Sequence, residues 1–517
     1  MVKYKWIGAA LPLIATSVAA REARPNILLI VADDLGKGDI STYGSHTIHT
    51  PNIDRLARDG VCFSNGYATS ATSTPSRYAI MTGMYPWTNE NAKILPGDAP
   101  LIIDVDRPTM PKMFQAAGYA TAAIGKWHLG MGDGNTDWNR RITPSANAVG
   151  FDYTCLIAAT NDRVPTVYVR DGLVVGLDPD DPISVSYDAP FEGELTADNH
   201  PEMLRYGLHH GHNNTIVNGI SRIGHMKGGK AALWRDEDMA AFFLNEVRTW
   251  LDTHSDGPFF LYYGLHQPHV PRVPNERFAG KSGYGVRGDV ILEADWCVGE
   301  LLGYLEDKDL MENTLIVFTS DNGPVVQDGY LDGSDDLLGD HDPALGMRGG
   351  KYSLFDAGTH IPLMAYWKGH TRHGVVDAFF SQLDFYASFA ALAGGEVPEG
   401  LDSQDHHALL LGKRDCKARR SLILEAKSRL CYREGDYVII PPYKGKKRDK
   451  TGTEIGNFED YVLYDLSRDK GQKHDIKQEE PRRFERMKKT FHALVGEYYN
   501  IQPQANYKGR DSGAAQR

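Results

Sequence analysis

Asp33 and Asp34 follow the apolar run Ile27 to Ala32 directly, and Asp321 and Asn322 close a second run, Leu315 to Thr319, in the same way. The four side chains make an all-oxygen donor set suited to a hard ion such as calcium or magnesium. Each pair also reads as local structure: an N-cap or turn at Asp33 and Asp34, and a turn at Asp321 and Asn322 ahead of Gly323 and Pro324. Lys126 and His128 follow a third run, Ala120 to Ile124, and His266 a fourth, Phe259 to Gly264. In STPSRYAIMTG, Ser73 to Gly83, Pro75 is placed to open a helix. Ser73 then sits at or just before the helix N-terminus, where free amides and the macrodipole favour an anion. Arg77, four residues on, shares its helical face and reaches back toward it. Capping by Ser73 and Ser76 is the plainer reading of the same hydroxyls. Lys351 follows Gly349 and Gly350, which allow close backbone approach to a ligand. A hydroxyl at a helix tip, ammonium groups, imidazoles and a cation would together serve displacement at an anionic centre.

The elements that must position these groups follow from hydropathy patterning. Apolar runs long enough for strands buried on both faces alternate with amphipathic segments. That pattern is an α/β fold with a mixed, mostly parallel sheet sandwiched by helices. Predicted strands are Ile27 to Ala32, Ala120 to Ile124, Phe259 to Gly264, Leu315 to Thr319 and Pro362 to Trp367; predicted helices include Asp236 to Asp252 and Val290 to Asp307. Open α/β sheets bind ligands beyond the carboxyl ends of their strands, where these polar residues fall. Past Gly394 and Gly395 the pattern loosens. Strand-like pieces at Tyr437 to Ile440 and Tyr461 to Leu466, then a helix from Pro481 to Tyr499, predict a smaller C-terminal α+β subdomain. We divide the chain into a leader at 1–20, a catalytic α/β domain at 22–400 and this subdomain at 401–510.

Lys3 and Lys5, the apolar stretch Trp6 to Ala15 and the small residues Ser17 to Ala20 read as a signal peptide. Export, to a bacterial periplasm or beyond, is therefore expected, with no membrane span in the mature chain. The formal charge is −12, more negative once Lys3 and Lys5 leave, which argues against general nucleic-acid binding. An anionic substrate must then meet a local basic pocket. The five cysteines, Cys62, Cys155, Cys297, Cys416 and Cys431, lack CxxC spacing, and only Cys416 with Cys431 suggests a pairing. The basic run Lys444 to Lys450 reads as a solvated loop.

Ser73 to Gly83 resembles the signature of the formylglycine-dependent sulfatases in its serine-type form. Thr50 to Ala71, TPNIDRLARDGVCFSNGYATSA, resembles that family's run-up, and VADDLGKGD, IGKWHLG, GLHQPH, TSDNG and RGGKYSLFDAGTHIP are similar to family blocks in the same order. YDLSRD, Tyr464 to Asp469, is a weaker echo. The resemblance implies oxidation of Ser73 to formylglycine (3-oxoalanine), whose hydrated aldehyde attacks the sulfuryl group. It implies a metal, calcium rather than magnesium, held by Asp33, Asp34, Asp321, Asn322 and the modified Ser73, with Asp321 as the base. It implies that Arg77 holds the hydrate, that Lys126 and Lys351 clamp the sulfate, that His128 takes the proton that triggers sulfate release, and that His266 with Lys351 protonates the leaving oxygen. Many relatives carry cysteine where this chain has Ser73; the serine form implies a serine-type sulfatase-maturating enzyme as a partner in biogenesis.

The connection from Met131 to Trp234 is longer than a helical crossover needs and carries His200, His209, His210, His212 and His225. HHGH lacks zinc-motif spacing, so hydrogen bonding of His209, His210 or His212 to hydroxyls of a sulfated saccharide is the better expectation. Tyr206 and Trp234 could stack on a sugar or lie in the core. Two alternatives remain open from sequence: a phosphatase, phosphodiesterase or phosphonate hydrolase of the wider alkaline-phosphatase-like group, and a non-catalytic glycan-binding protein with unmodified Ser73.

Overall fold

The computed structural model describes residues 24–496 and 498. The leader expected at 1–20 lies outside them, as does Tyr499 at the end of the last expected helix. Among the described residues the main sheet contains β1 (Asn26–Ala32), β2 (Val61–Phe63), β3 (Ala120–Lys126), β4 (Tyr153–Ile157), β5 (Val169–Arg170), β6 (Leu173–Val174), β7 (Phe259–Gly264), β8 (Thr314–Ser320), β9 (Leu363–Tyr366) and β10 (Gly374–Val376). Their spatial order is β10-β2-β9-β8-β1-β7-β3-β4-β5-β6. Five central strands, β8, β1, β7, β3 and β4, run parallel. β9 is antiparallel to β8 on one side, and β5 to β4 on the other.

The central strands are buried almost throughout and mostly apolar because both faces are covered. Ile27, Leu29 and Val31 of β1 face one core, with Met113 and Phe114 of α1 (Met110–Ala116) and Phe385 and Phe389 of α4 (Phe385–Ala393). Leu28, Ile30 and Ala32 face the other, with Phe243, Val247 and Trp250 of α2 (Met239–His254) and Ile291, Val298 and Leu301 of α3 (Gly285–Asp307). The helix predicted from Asp236 opens as a 3-10 turn, Asp236–Asp238, before α2 begins; α3 starts five residues earlier than predicted.

The C-terminal part is a four-stranded antiparallel sheet of β11 (Ser421–Ala426), β12 (Arg429–Glu434), β13 (Tyr437–Ile440) and β14 (Val462–Asp465), followed by α5 (Pro481–Val495). Its side chains alternate with period 2. Leu422, Leu424, Cys431, Val438 and Tyr464 pack toward Tyr67, Ala71 and Phe355 of the main body. Ile423, Leu430, Ile439 and Leu463 pack under Met487 and Phe491 of α5. All five cysteines are free, so the suggested pairing of Cys416 with Cys431 does not occur: Cys431 is sealed in this sheet, whereas Cys416 sits partly exposed. Among the described residues, no helix is long and apolar enough to cross a membrane.

Candidate active site

The parallel pairing of β1 with β8 brings the two distant acidic pairs together. Asp321 N–H donates to Ala32 O at 3.0 Å, and Asp34 N–H donates to Asp321 Oδ1 at 3.3 Å. Asp34 adopts φ 63°, a left-handed turn that swings its carboxylate into the same space. Ser73 is the first residue of a helix, Ser73–Thr82, with Thr72 extended before it. Its Oγ lies 2.8 Å from Lys126 Nζ and 3.4 Å from both Asp33 Oδ1 and Asn322 Oδ1. Gly125 and Gly264 are register partners where β3 and β7 end; a Cβ on Gly125, at φ 103°, would meet Gly264 O at 2.0 Å. Only glycine lets these strand ends close behind Lys126.

Charge is dense and dry here. Lys126 Nζ lies 2.6 Å from Asp33 Oδ2, without hydrogen-bond alignment, and 3.4 Å from Asp321 Oδ2. Lys351 Nζ donates to Asp34 Oδ2 and Asp328 Oδ2, each at 2.8 Å, and Asn322 Nδ2 donates to Asp34 Oδ1 at 2.8 Å. Arg77 grips Asp321 Oδ2 through Nε at 2.9 Å and Nη2 at 2.7 Å, and Nη1 donates to Lys126 O at 3.3 Å. Its partner in this structure is thus Asp321, not the Ser73 hydroxyl. Burial alone would raise Asp321, but Arg77 and Lys126 outweigh it and hold the carboxyl well below the usual range. Burial, reinforced by Asp321 and Asp34 and opposed by Lys126, pushes Asp33 up to about 8; burial raises Asp34 against Lys351. Burial lowers Lys126. Lys351 stays well above its ordinary value because Asp328 and Asp34 overcome burial.

The donor set fits a hard dication. Asp33, Asp34 and His269 each offer a ligand atom within 4.8 Å of the others, and a cation among these carboxylates would offset the burial and the like-charge repulsion that raise Asp33.

His128, at φ 57°, sets Nε2 3.0 Å from Leu95 O, which makes that nitrogen the donor; buried Nδ1 has no hydrogen-bond partner and the ring lines the cleft beside Ser73. The histidine that reaches the cleft from β7 is His269, whose Nε2 lies 3.8 Å from Asp34 Oδ2 while Nδ1 meets Val270 O at 2.6 Å. His266 instead lines a small cavity behind it with Asn161, Asp236 and Gln267. Proximity to the strand end singled out His266; the same block, GLHQPH, contained His269 three residues on. Asp328, which holds Lys351, was also missed, because a lone aspartate beyond TSDNG carries no pattern.

The cleft wall includes Asp162, Arg163, His210 and His212. His212 Nε2 meets Asp162 Oδ2 at 2.9 Å, and His210 is half-buried, whereas His209 is exposed and its Nδ1 lies 2.7 Å from that of His210. Trp234 is a core residue, and Tyr206 donates to Arg272 O. The C-terminal part adds Lys427, Asp449 and Lys450 to the rim, so the basic run expected to be merely solvated ends at the cleft.

A covered α/β sheet that gathers a helix-tip hydroxyl, a hard-cation donor set and two buried ammonium groups at its strand ends defines a hydrolase for anionic esters. The Sulfatase family model matches residues 25–395. An N-acetylgalactosamine-6-O-sulfatase of Bacteroides thetaiotaomicron is 49% identical over 463 residues, covering 89% of this chain and 90% of its own. Human arylsulfatase A is 30% identical over 499 residues, covering 90% and 86% respectively. A solved structure from work on glycosaminoglycan metabolism by Bacteroides thetaiotaomicron superposes with TM-score 0.89 and 47% identity, covering 91% of this chain and 99% of its own. The chain belongs to the sulfatase family and is a sulfuric ester hydrolase.

Proposed function

We propose that this protein removes the 6-O-sulfate from N-acetylgalactosamine or a closely related sugar of a glycan, using a formylglycine made from Ser73 and a calcium ion. The sugar assignment rests on the activity named for the 49% identical relative. The observation that carries the chemistry is the placement of Ser73 Oγ, 2.8 Å from Lys126 Nζ and 3.4 Å from Asp33 Oδ1 and Asn322 Oδ1. The hydrated aldehyde supplies the attacking hydroxyl, and the cation supplies positive charge to the sulfate oxygens. Asp33, Asp34, Asp321 and Asn322 would hold the cation. Arg77 fixes Asp321 as an ionised base beside the hydrate.

Lys126 and Lys351 bind sulfate oxygens as point charges, which suits a tetrahedral anion. His128 has only Nδ1 free to accept a proton, because Leu95 O occupies Nε2. The His128 ring lines the Ser73 cleft, and we assign to its accepting nitrogen the proton whose removal releases sulfate. His269, with Lys351, replaces His266 in our assignment of the acid for the leaving sugar oxygen, because its ring lines the cleft. Asp162, Arg163, His210 and His212 are assigned to the sugar. In the same proposal the protein is exported, and a serine-specific maturase oxidises Ser73.

The test is coexpression with a serine-type maturase. The tryptic peptide bearing residue 73 should lose the mass of two hydrogens, and the matured protein should cleave 6-sulfated N-acetylgalactosamine in preference to its 4-sulfated isomer. Equal turnover by protein with unmodified Ser73 would overturn the nucleophile; preference for the 4-sulfate would overturn the regiochemistry.

A further inference from the structure

A second cavity opens where the C-terminal sheet meets the main body, and it shares no lining residue with the Ser73 cleft. Its walls include Lys37, His360, Asp356, Arg433 and Lys470. Lys37, in a 3-10 turn that follows the Asp33–Asp34 pair, is 6% exposed, and Arg433, on β12, is 2% exposed. Lys37 Nζ lies 2.7 Å from Ser64 O, 3.1 Å from His360 Nε2 and 4.6 Å over the Tyr43 ring. None of these is an anion. The one buried carboxylate of the cavity, Asp356, is already shared: Oδ2 meets His360 Nδ1 at 2.8 Å, and Oδ1 accepts from Tyr67 OH at 2.9 Å and Arg433 Nη1 at 3.1 Å.

A buried ammonium without a carboxylate is costly unless something anionic joins it. Burial pushes Lys37 down to about 8, with Lys470 and Arg433 adding repulsion against Asp356. Arg433 has donors to spare: Nε serves Gly435 O at 2.8 Å, Nη1 serves Asp356, and Nη2 only the distant Asn65 Oδ1 at 3.4 Å. Lys470 is exposed at the mouth, positioned to attract an anion from solvent. We propose that this cavity is an anion site, separate from the catalytic centre, in which Lys37 and Arg433 hold a sulfate-type oxyanion. A guanidinium fork beside an ammonium tip is the donor pairing such a tetrahedral group takes. The oxyanion could be free inorganic sulfate or the sulfate group of a sulfated saccharide.

Crystals of the full chain soaked in selenate and located by anomalous scattering test this directly. A peak is expected within hydrogen-bond reach of Lys37 Nζ and the Arg433 guanidinium; signal at the Ser73 cleft alone overturns the proposal, as does filling only at hundreds of millimolar selenate. A dilution series of soaks gives the affinity of this site by itself. Lys37→Met, which keeps the stem beside Tyr43, is expected to weaken it about tenfold or more, the loss of a charge-assisted hydrogen bond. Lys470→Ala, altered only at the exposed mouth, covers the case in which Lys37→Met does not fold, and should weaken it severalfold. Unchanged occupancy in the variants overturns the assignment. A parallel soak with a monosulfated disaccharide separates the sources: ring density joined to the anion assigns the saccharide, and entry of inorganic selenate alone assigns the free oxyanion.

Discussion

Removing the metal should make the stability of this protein fall as pH rises, and calcium should cancel that fall. Asp33 has an ordinary carboxyl value in the unfolded chain and one of about 8 in the folded, metal-free protein. Its pKa is raised on folding, so the stability it contributes is fully present below the unfolded value and is lost as pH climbs through about 8. Inside that window the native state holds about one proton more than the unfolded state, a slope of about −1.4 kcal/mol per pH unit. Between pH 6 and 7.5 the group therefore costs the apo protein about 2 kcal/mol, and Asp34, also raised, acts in the same direction. Glu293, raised to about 7, and Glu425, raised to about 8, add the same slope but lie outside the donor set. They cancel when calcium and chelator arms are compared at each pH. Urea unfolding in both arms should give a calcium increment that grows by about 2 kcal/mol from pH 6 to 7.5. Calorimetry at pH 7 in buffers of different ionisation enthalpy should detect about 0.9 proton released per calcium bound from Asp33 alone. A pH-independent increment with no proton release would refute the claim that these carboxylates are a cation site held partly protonated without its ion.

Ser73→Ala should lower kcat/KM at least about 10³-fold in matured preparations, measured on a sulfated monosaccharide, because it removes the group that stands beside Lys126 Nζ and Asp33 Oδ1. His269→Gln should lower kcat about 10²- to 10⁴-fold as expected for a lost general acid, whereas His266→Gln should stay within about tenfold; the reverse order would restore His266 to the acid role. Asp328→Asn takes one of two carboxylates from Lys351, and urea unfolding should register a loss of about 1–3 kcal/mol together with weaker sulfate product inhibition.

The sheet was legible because the parallel strands are apolar on both faces, so Ile27 to Ala32 and Leu315 to Thr319 cannot be mistaken for surface segments. The short outer strands were not: Val61–Phe63 and Val169–Arg170 are too short to carry a period, and they exist because neighbours on both sides supply partners. In the C-terminal sheet, β13 and β14 were visible as apolar pieces, but Ser421–Ala426 and Arg429–Glu434 mix Glu425 and Arg433 into buried positions. Both look like solvent signals in a sequence; Arg433 is held by Asp356 and Gly435 O, whereas burial raises Glu425 to about 8. For the site, strand ends gave the carboxylates and Lys126 because chain direction fixes where a strand's last residues lie. It does not fix which histidine of a following loop turns inward. His266 sits nearer the strand, yet the loop carries His269 back to Asp34.

The C-terminal sheet also bears on Ser73, the nucleophile we propose. β11 runs beside the segment leading to Ser73: Glu425 N–H donates to Thr69 O at 3.0 Å, and Ala71 N–H donates to Glu425 O at 2.8 Å. Those bonds end one residue before Thr72, the N-cap of the Ser73 helix. A ladder at that point fixes the height at which the helix begins, and hence where Oγ stands relative to Lys126 and Asp33. The turn after β11 then carries Lys427 over the Tyr352 ring, with Nζ 5.1 Å from its centroid, next to Lys351. One sheet thus braces Ser73 from behind and places a cation at the mouth of the same cleft, so in our proposal it bears on both substrate recognition and nucleophile geometry.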